Sequence, residues 1–222
     1  LEAKDVRIIT TAVGGGFGSK LDVSIQPYVA LAAWHLNQPV FMAYSRPESI
    51  KSTTKRHPSK IKCKVGAGKD GKLTAMQFDA VFNTGAYASW GPTVADRVPV
   101  HASGPYFMPA YDARSLAVHT NCPPSGAFRG FGVPQSAIAQ ESLFEELAEQ
   151  LGIDRLEFRV RNALENGMAT GTGQVFESGV GIKKCLLALK PHWDRLGAAA
   201  VAFNEEQIDS RRRGVGIAGV WY

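Results

Sequence analysis

Hydrophobic and polar positions along this chain change period several times, and each change marks an element. Val6 to Thr11 is an apolar, β-branched run that predicts a strand. From Asp22 to Leu36 the residues Val23, Ile25, Val29, Ala30, Ala33 and Leu36 fall near helical spacing, with Asp22 as N-cap and Gln38-Pro39 as the stop. Val40 to Tyr44 predicts a short buried strand, and Arg46-Pro47-Glu48 a turn. Lys60 to Gly66 and Lys72 to Phe82 predict a hairpin closed by Gly68-Lys69-Asp70-Gly71. Asn83 to Pro109 reads as one long loop whose apolar and aromatic content argues for order. Ala113 to His119 predicts a strand, and Pro134 to Leu151 a helix ended by Gly152. Asp154 caps a shorter helix to Arg161, and Gly167 to Gly173 is a turn. Helices are expected over Ile182 to Leu189 and Ala198 to Ser210, and a final strand over Gly214 to Tyr222.

Two glycine-rich loops stand out against this background: Gly14-Gly15-Gly16-Phe17-Gly18-Ser19-Lys20 and Gly126-Ala127-Phe128-Arg129-Gly130-Phe131-Gly132. Each puts Phe between glycines beside a cation, after a strand-like run and before a helix-like one. Bare glycine main chain lets N–H groups approach a ligand, and a helix start adds partial positive charge. The pair therefore suggests one bulky anionic ligand held from two sides. The expected fold is α+β: two mixed α/β subdomains, 1–112 and 113–222, each with a strand–Gly-rich loop–helix element. Neither loop is a Walker A loop, because Ser19 precedes Lys20, and neither matches the dinucleotide fingerprint.

Composition narrows the field only slightly. The 222 residues are 45% hydrophobic and 20% charged, as in ordinary globular chains. No apolar run is long enough to span a membrane. The net charge of +5 admits nucleic acid or acidic ligands. Yet the basic stretch Lys60, Lys62, Lys64 alternates with Ile61, Cys63 and Val65 like an exposed strand face, and no nucleic-acid motif accompanies it. Cys63, Cys122 and Cys185 are few, odd in number and dispersed, which argues against structural zinc and a disulfide framework and points to a reducing, cytoplasmic setting. The chain starts on Leu1 and ends within an apolar run, as a piece of a longer protein would. Glu141, Glu145 and Glu146 fit the exposed face of their helix and are not candidate catalytic bases. Arg129 needs an anionic or carbonyl partner if buried, while Phe131, between Gly130 and Gly132, faces either a cavity or the core.

The first loop, followed about a hundred residues later by Ala127-Phe128-Arg129-Gly130-Phe131-Gly132-Val133-Pro134-Gln135, resembles the large subunit of the molybdenum hydroxylases, the xanthine dehydrogenase and aldehyde oxidase family. Arg56-His57-Pro58, Gly68 to Leu73 and Arg161-Asn162-Ala163 fit in order, so the resemblance covers nearly the whole chain. It implies a partial molybdopterin-binding domain over 1–222, with the molybdenum held by pterin dithiolene sulfurs and not by protein side chains. Gly15, Gly16, Phe17, Gly18 and Arg129 would then face the cofactor, and Leu21, Arg97 and Phe131 the substrate.

The implied chemistry is hydroxylation with water as oxygen source and a Glu general base. That Glu, a cofactor-bonding Gln and a second ring-contacting aromatic are expected outside this chain, so the chain alone would not turn over. Implied partners are the rest of the molybdenum subunit, 2Fe-2S and FAD domains or subunits, and a small-molecule substrate. Leu21 stands where the purine enzymes carry Glu, which favours aldehydes. Arg97 aligns with a purine-orienting Arg; it suits a purine oxygen or a substrate carboxylate, or is a surface residue beside Asp96. An N-heteroaromatic substrate is the first reading and an aldehyde the second. A non-catalytic anion- or nucleotide-binding module and a purely structural fragment are the alternatives.

Overall fold

The alternating hairpin becomes the centre of a three-stranded sheet of order β1-β2-β3. This computed structural model describes residues 2–222. Strand β1 (Ser59–Ala67) pairs antiparallel with β2 (Leu73–Gly85), and β2 pairs parallel with β3 (Ala110–His119). The alternation is literal. Met76, Phe78, Ala80 and Phe82 of β2 point into the core, while Gln77 and Val81 lie outward. Burying each Phe is worth about 1.5–3 kcal/mol.

A parallel pair needs a crossover, and here it runs through helix α3 (Gly91–His101). That helix lies inside the stretch expected to be loop. Pro92 and Pro99 disguise it, but a proline in the first turn costs no intrahelical bond. Val94 and Val98 of α3 meet the core cluster together with Tyr106, Phe144 and Phe158. These last three rings meet edge to face at 5.1 and 5.7 Å.

Helix α4 (Val133–Gln150) follows the second loop, and α5 (Arg155–Asn162) starts on Asp154, whose carboxylate accepts from the Glu157 amide at 2.9 Å. Asn162 staples the hairpin turn: its Nδ2 donates to the Gly71 carbonyl and its Oδ1 accepts from the Leu73 amide, both at 2.8 Å. The Arg161-Asn162-Ala163 triplet therefore has a structural use. The two helices expected near the end are one, α6 (Ile182–Glu206), which continues through Pro191.

Several expectations are corrected. Val6 to Thr11, Val40 to Tyr44 and Gly214 to Tyr222 form no strand, so the first loop lacks the expected strand before it. A strand needs a hydrogen-bonded neighbour, and these segments find none among the described residues; Ile8 and Phe41 are 77% and 91% exposed. The first helix, α1 (Gln26–Leu36), begins later than Asp22, because the Asp22 carboxylate is engaged by the Ser89 hydroxyl at 2.7 Å. Arg46-Pro47-Glu48 opens a helix, α2 (Arg46–Ser52), through a reciprocal capping box between Ser45 and Glu48. Glu141 is buried on α4 and is not on an exposed face; the physical reason is a partner on α5, Arg159.

Candidate cofactor and substrate cleft

The two glycine loops touch. The Arg129 amide of the second donates to the Phe17 carbonyl of the first at 2.9 Å. At Gly18 (φ +96°) a Cβ would lie 2.8 Å from both the carbonyl carbon and oxygen of Ala127, so only glycine allows this approach. The first loop is also turned by the Ser19 amide and hydroxyl, which both donate to the Gly16 carbonyl at 2.9 and 2.8 Å. Phe17 (φ 51°) and Phe131 (φ 41°) hold left-handed backbone, an uncommon state for bulky residues that concentrates at functional sites. Sequence reasoning found both residues but had no signal for their backbone.

Arg56 clamps the second loop from behind. Its guanidinium donates to the Arg129 carbonyl at 2.7 Å and to the Gln135 Oε1 at 3.2 Å, and it lies 4.6 Å above the Phe128 ring. Gln135 completes the clamp by donating to the His57 carbonyl at 3.1 Å. Burial lowers the affinity of both Arg56 and His57 for their protons. Arg56 was visible in the sequence only as part of a family motif; nothing local announced its grip on the loop.

Phe17, Gly18, Arg129 and Phe131 line a cleft of about 680 Å³, closed on another side by Val220 and Tyr222. Trp90 supports the Phe131 ring edge-on at 5.9 Å. Phe131 thus faces the cleft while one side packs on the core. The Arg129 guanidinium has no carboxylate within ion-pair distance among the described residues.

Gly15, Gly16 and Leu21 do not line the cleft; Leu21 is 60% exposed. Arg97 does not line the cleft either; its guanidinium stacks 4.9 Å from the ring of Tyr222, which does. His101 holds that corner: its Nδ1 donates to the Arg97 carbonyl at 3.0 Å, and its ring stacks on Tyr222 at 5.8 Å. In the sequence Val220 and Tyr222 belong only to the final strand expected over Gly214 to Tyr222, with no sign of a place at the cleft. No cluster of three or more His, Cys, Asp or Glu suited to a metal occurs among the described residues. The Cys63 thiol, pushed up to about 11 by burial, is a poor nucleophile.

The cleft thus joins main-chain glycine of both loops, the Arg129 cation and the rings of Phe17, Phe131 and Tyr222, an arrangement with the chemistry to take a bulky anionic ligand. The chain belongs to the Molybdopterin cofactor-binding domain family, which matches residues 1–163. It is 48% identical over 181 residues to the nicotinate dehydrogenase large molybdopterin subunit of Eubacterium barkeri, covering 82% of this chain and 43% of that protein. It is 38% identical to the xanthine dehydrogenase molybdenum-binding subunit of Escherichia coli O157:H7, covering 96% of this chain and 28% of the relative. Among solved structures, aldehyde oxidoreductase from Desulfovibrio gigas superposes with a TM-score of 0.79 at 33% identity, over 89% of this chain and 21% of that one. The chain thus spans less than half the length of these relatives. No helix among the described residues is long and apolar enough to cross a membrane.

Proposed function

We propose that this chain forms the middle of the molybdenum subunit of a hydroxylase that oxidises an N-heteroaromatic ring bearing an anionic group, with water as oxygen source. The observation that carries this reading is the Phe17–Arg129 main-chain bond, which joins both loops on one cleft that also holds Phe131. The residues present fit an anionic pterin. The approach at Gly18 leaves no room for a side chain, Arg129 offers an unpaired guanidinium, and the amides of Gly16, Phe17 and Gly18 donate to no acceptor among the described residues. We assign Gly15, Gly16, Phe17, Gly18 and Arg129 to the cofactor. When bound, the molybdenum centre would supply the redox chemistry and activate water.

This chain's own residues bind and orient. Phe131 stacks the substrate ring, and Arg97, carried on the Tyr222 ring, holds the substrate's anionic group beside the cleft. Leu21, exposed and outside the cleft itself, flanks the approach to it as an apolar residue. In the whole subunit, the half 1–112 contributes the first loop and 113–222 the second. The exposed apolar segments around Ile8 and Phe41 pack against the rest of that subunit. Centres of the 2Fe-2S and FAD type on other domains or subunits would take up the electrons, in a cytoplasmic enzyme that binds neither nucleic acid nor membrane. An aldehyde is the second reading, favoured by the apolar Leu21.

The test is purification of the complete enzyme with its partner subunits, followed by molybdenum and pterin analysis and turnover assays with nicotinate, xanthine and benzaldehyde. Molybdenum with nicotinate turnover is expected. Benzaldehyde turnover alone would select the second reading. An active preparation lacking molybdenum and pterin would reject the molybdenum reading, and one with neither metal, pterin nor turnover would leave a non-catalytic anion-binding module.

A further inference from the structure

One ionic cluster lies outside the loops and is deeply buried. Arg159 is fully buried, and Glu141 is 6% exposed. The Glu141 Oε2 accepts from the Arg159 Nε at 2.7 Å and pairs with its Nη2 at 2.7 Å, while Nη2 donates to the Glu141 carbonyl at 3.4 Å. The other carboxylate oxygen, Oε1, accepts from the Tyr106 hydroxyl at 2.8 Å, the Gln140 amide at 3.1 Å and the Gly219 main-chain amide at 3.0 Å. Glu145 pairs with Arg159 at 2.9 Å from the outer side. Burial works against the charge on Arg159, and Glu141, helped by Tyr106 and Glu145, more than offsets it, so the guanidinium stays protonated; burial and the neighbouring carboxylate also keep the Tyr106 hydroxyl protonated.

A buried ion pair between two helices is rarely the most stabilising choice, since apolar residues of similar volume often do as well. What an apolar pair cannot do is accept a main-chain N–H. The Gly219 amide is buried where it meets Glu141, and without that carboxylate it would be an orphaned donor. The approach is too close for any other residue: a Cβ on Gly219 would meet the Tyr106 hydroxyl oxygen at 2.3 Å and its ring carbon at 3.0 Å. Immediately after Gly219 come Val220, which lines the cleft, and Trp221, whose indole donates to the His101 carbonyl at 3.3 Å. Tyr222 then lies over Arg97 and against the cleft.

We propose that Glu141 is a positioning residue: held on Arg159, its carboxylate latches the segment 217–222 through the Gly219 amide and so sets the cleft wall made by Val220 and Tyr222. Sequence spacing hides the device, because the latch joins residues 78 positions apart. The latch itself needs only the cluster and the segment. Its effect on substrate rests on the reading of the cleft given above.

The test uses the complete holoenzyme with its partner subunits. Gly219→Ala, which leaves the Glu141–Arg159 pair in place, is expected to raise deuterium uptake in 216–222 while 141–160 keeps its protection. Molybdenum content stays unchanged, and KM for nicotinate rises about tenfold with kcat within about twofold. Adding Tyr106→Phe removes the oxygen that the new Cβ meets and is expected to restore both uptake and KM. Glu141→Gln, whose single amide oxygen cannot serve every donor, is expected to loosen the same segment. Unchanged uptake in 216–222 in both Gly219→Ala and Glu141→Gln would overturn the latch, and raised uptake with unchanged KM would overturn its role in the cleft wall. Absence of nicotinate turnover by the unsubstituted enzyme removes the substrate reading alone, because the uptake arms decide the latch without it.

Discussion

The Phe17 carbonyl accepts from the Arg129 amide at 2.9 Å, so two loops more than a hundred residues apart in sequence share one main-chain hydrogen bond. Neither side chain takes part in that bond. Both are free to face the cleft, with the Arg129 guanidinium 6.0 Å from the Phe17 ring.

Gly18→Val attacks this junction directly. The new Cβ would fall 2.8 Å from the Ala127 carbonyl, against main chain that cannot rotate away. Molybdenum and pterin per complete subunit are expected to fall at least about tenfold, read by metal analysis and by fluorescence of the released pterin. Full loading of this variant would count against the placement of the first loop.

Arg56→Ala removes two hydrogen bonds and a ring stack from behind the second loop. A loss of about 1.5–3 kcal/mol is expected from the charged hydrogen bonds, measured by denaturant titration of the complete subunit. Arg56→Lys is expected to recover little, because an ammonium cannot span the Arg129 carbonyl and Gln135 while lying flat on Phe128.

Phe131→Ala removes a ring that faces the cleft and is backed by Trp90. KM for a heteroaromatic substrate is expected to rise about tenfold, with molybdenum content intact. Kinetics equal to wild type would leave Phe131 as a core residue only.

Arg97→Gln separates the two substrate readings. Turnover of an anionic heteroaromatic is expected to lose affinity, while that of a neutral aldehyde is unaffected, as judged by KM for nicotinate and benzaldehyde. Equal effects on both would show that Arg97 supports Tyr222 without gripping the substrate.

His57 makes stability depend on pH. Burial lowers its proton affinity below the ordinary value of 6.5, so the unfolded chain takes up the proton first on acidification. The contribution of the neutral ring is complete above about pH 6.5 and is lost as pH falls from there toward the lowered folded value. The Tm is expected to drop as pH falls below about 6.5, with a shallower slope in His57→Asn. Equal slopes in the two proteins would assign the acid sensitivity to other groups.

The sequence was most legible where an element satisfies itself locally. The hairpin, α4 and α5 carry their own periodicity, turn and cap, and Asp154 caps α5 as its position suggested. Val6 to Thr11 and Val40 to Tyr44 misled because an apolar run of β-branched or aromatic residues records a preference for pairing, while pairing itself depends on a neighbour. Helix α3 hid behind two prolines, one of them harmless in the first turn. At the site, the glycine spacing marked both loops and the two phenylalanines. The contact between the loops, the clamp by Arg56 and the burial of Glu141 all depend on residues brought together from distant parts of the chain. No local window of sequence contains them.

Left-handed backbone at Phe17 and Phe131 costs about 1–3 kcal/mol at each residue, and the surrounding fold meets that cost as the chain folds. A guest arriving later meets a receptacle already bent to shape and loses little affinity to reshaping it. Empty and filled forms of the protein would therefore superpose closely at these two corners, and selectivity would lie in what fits the preformed outline, without a closing movement of the loops.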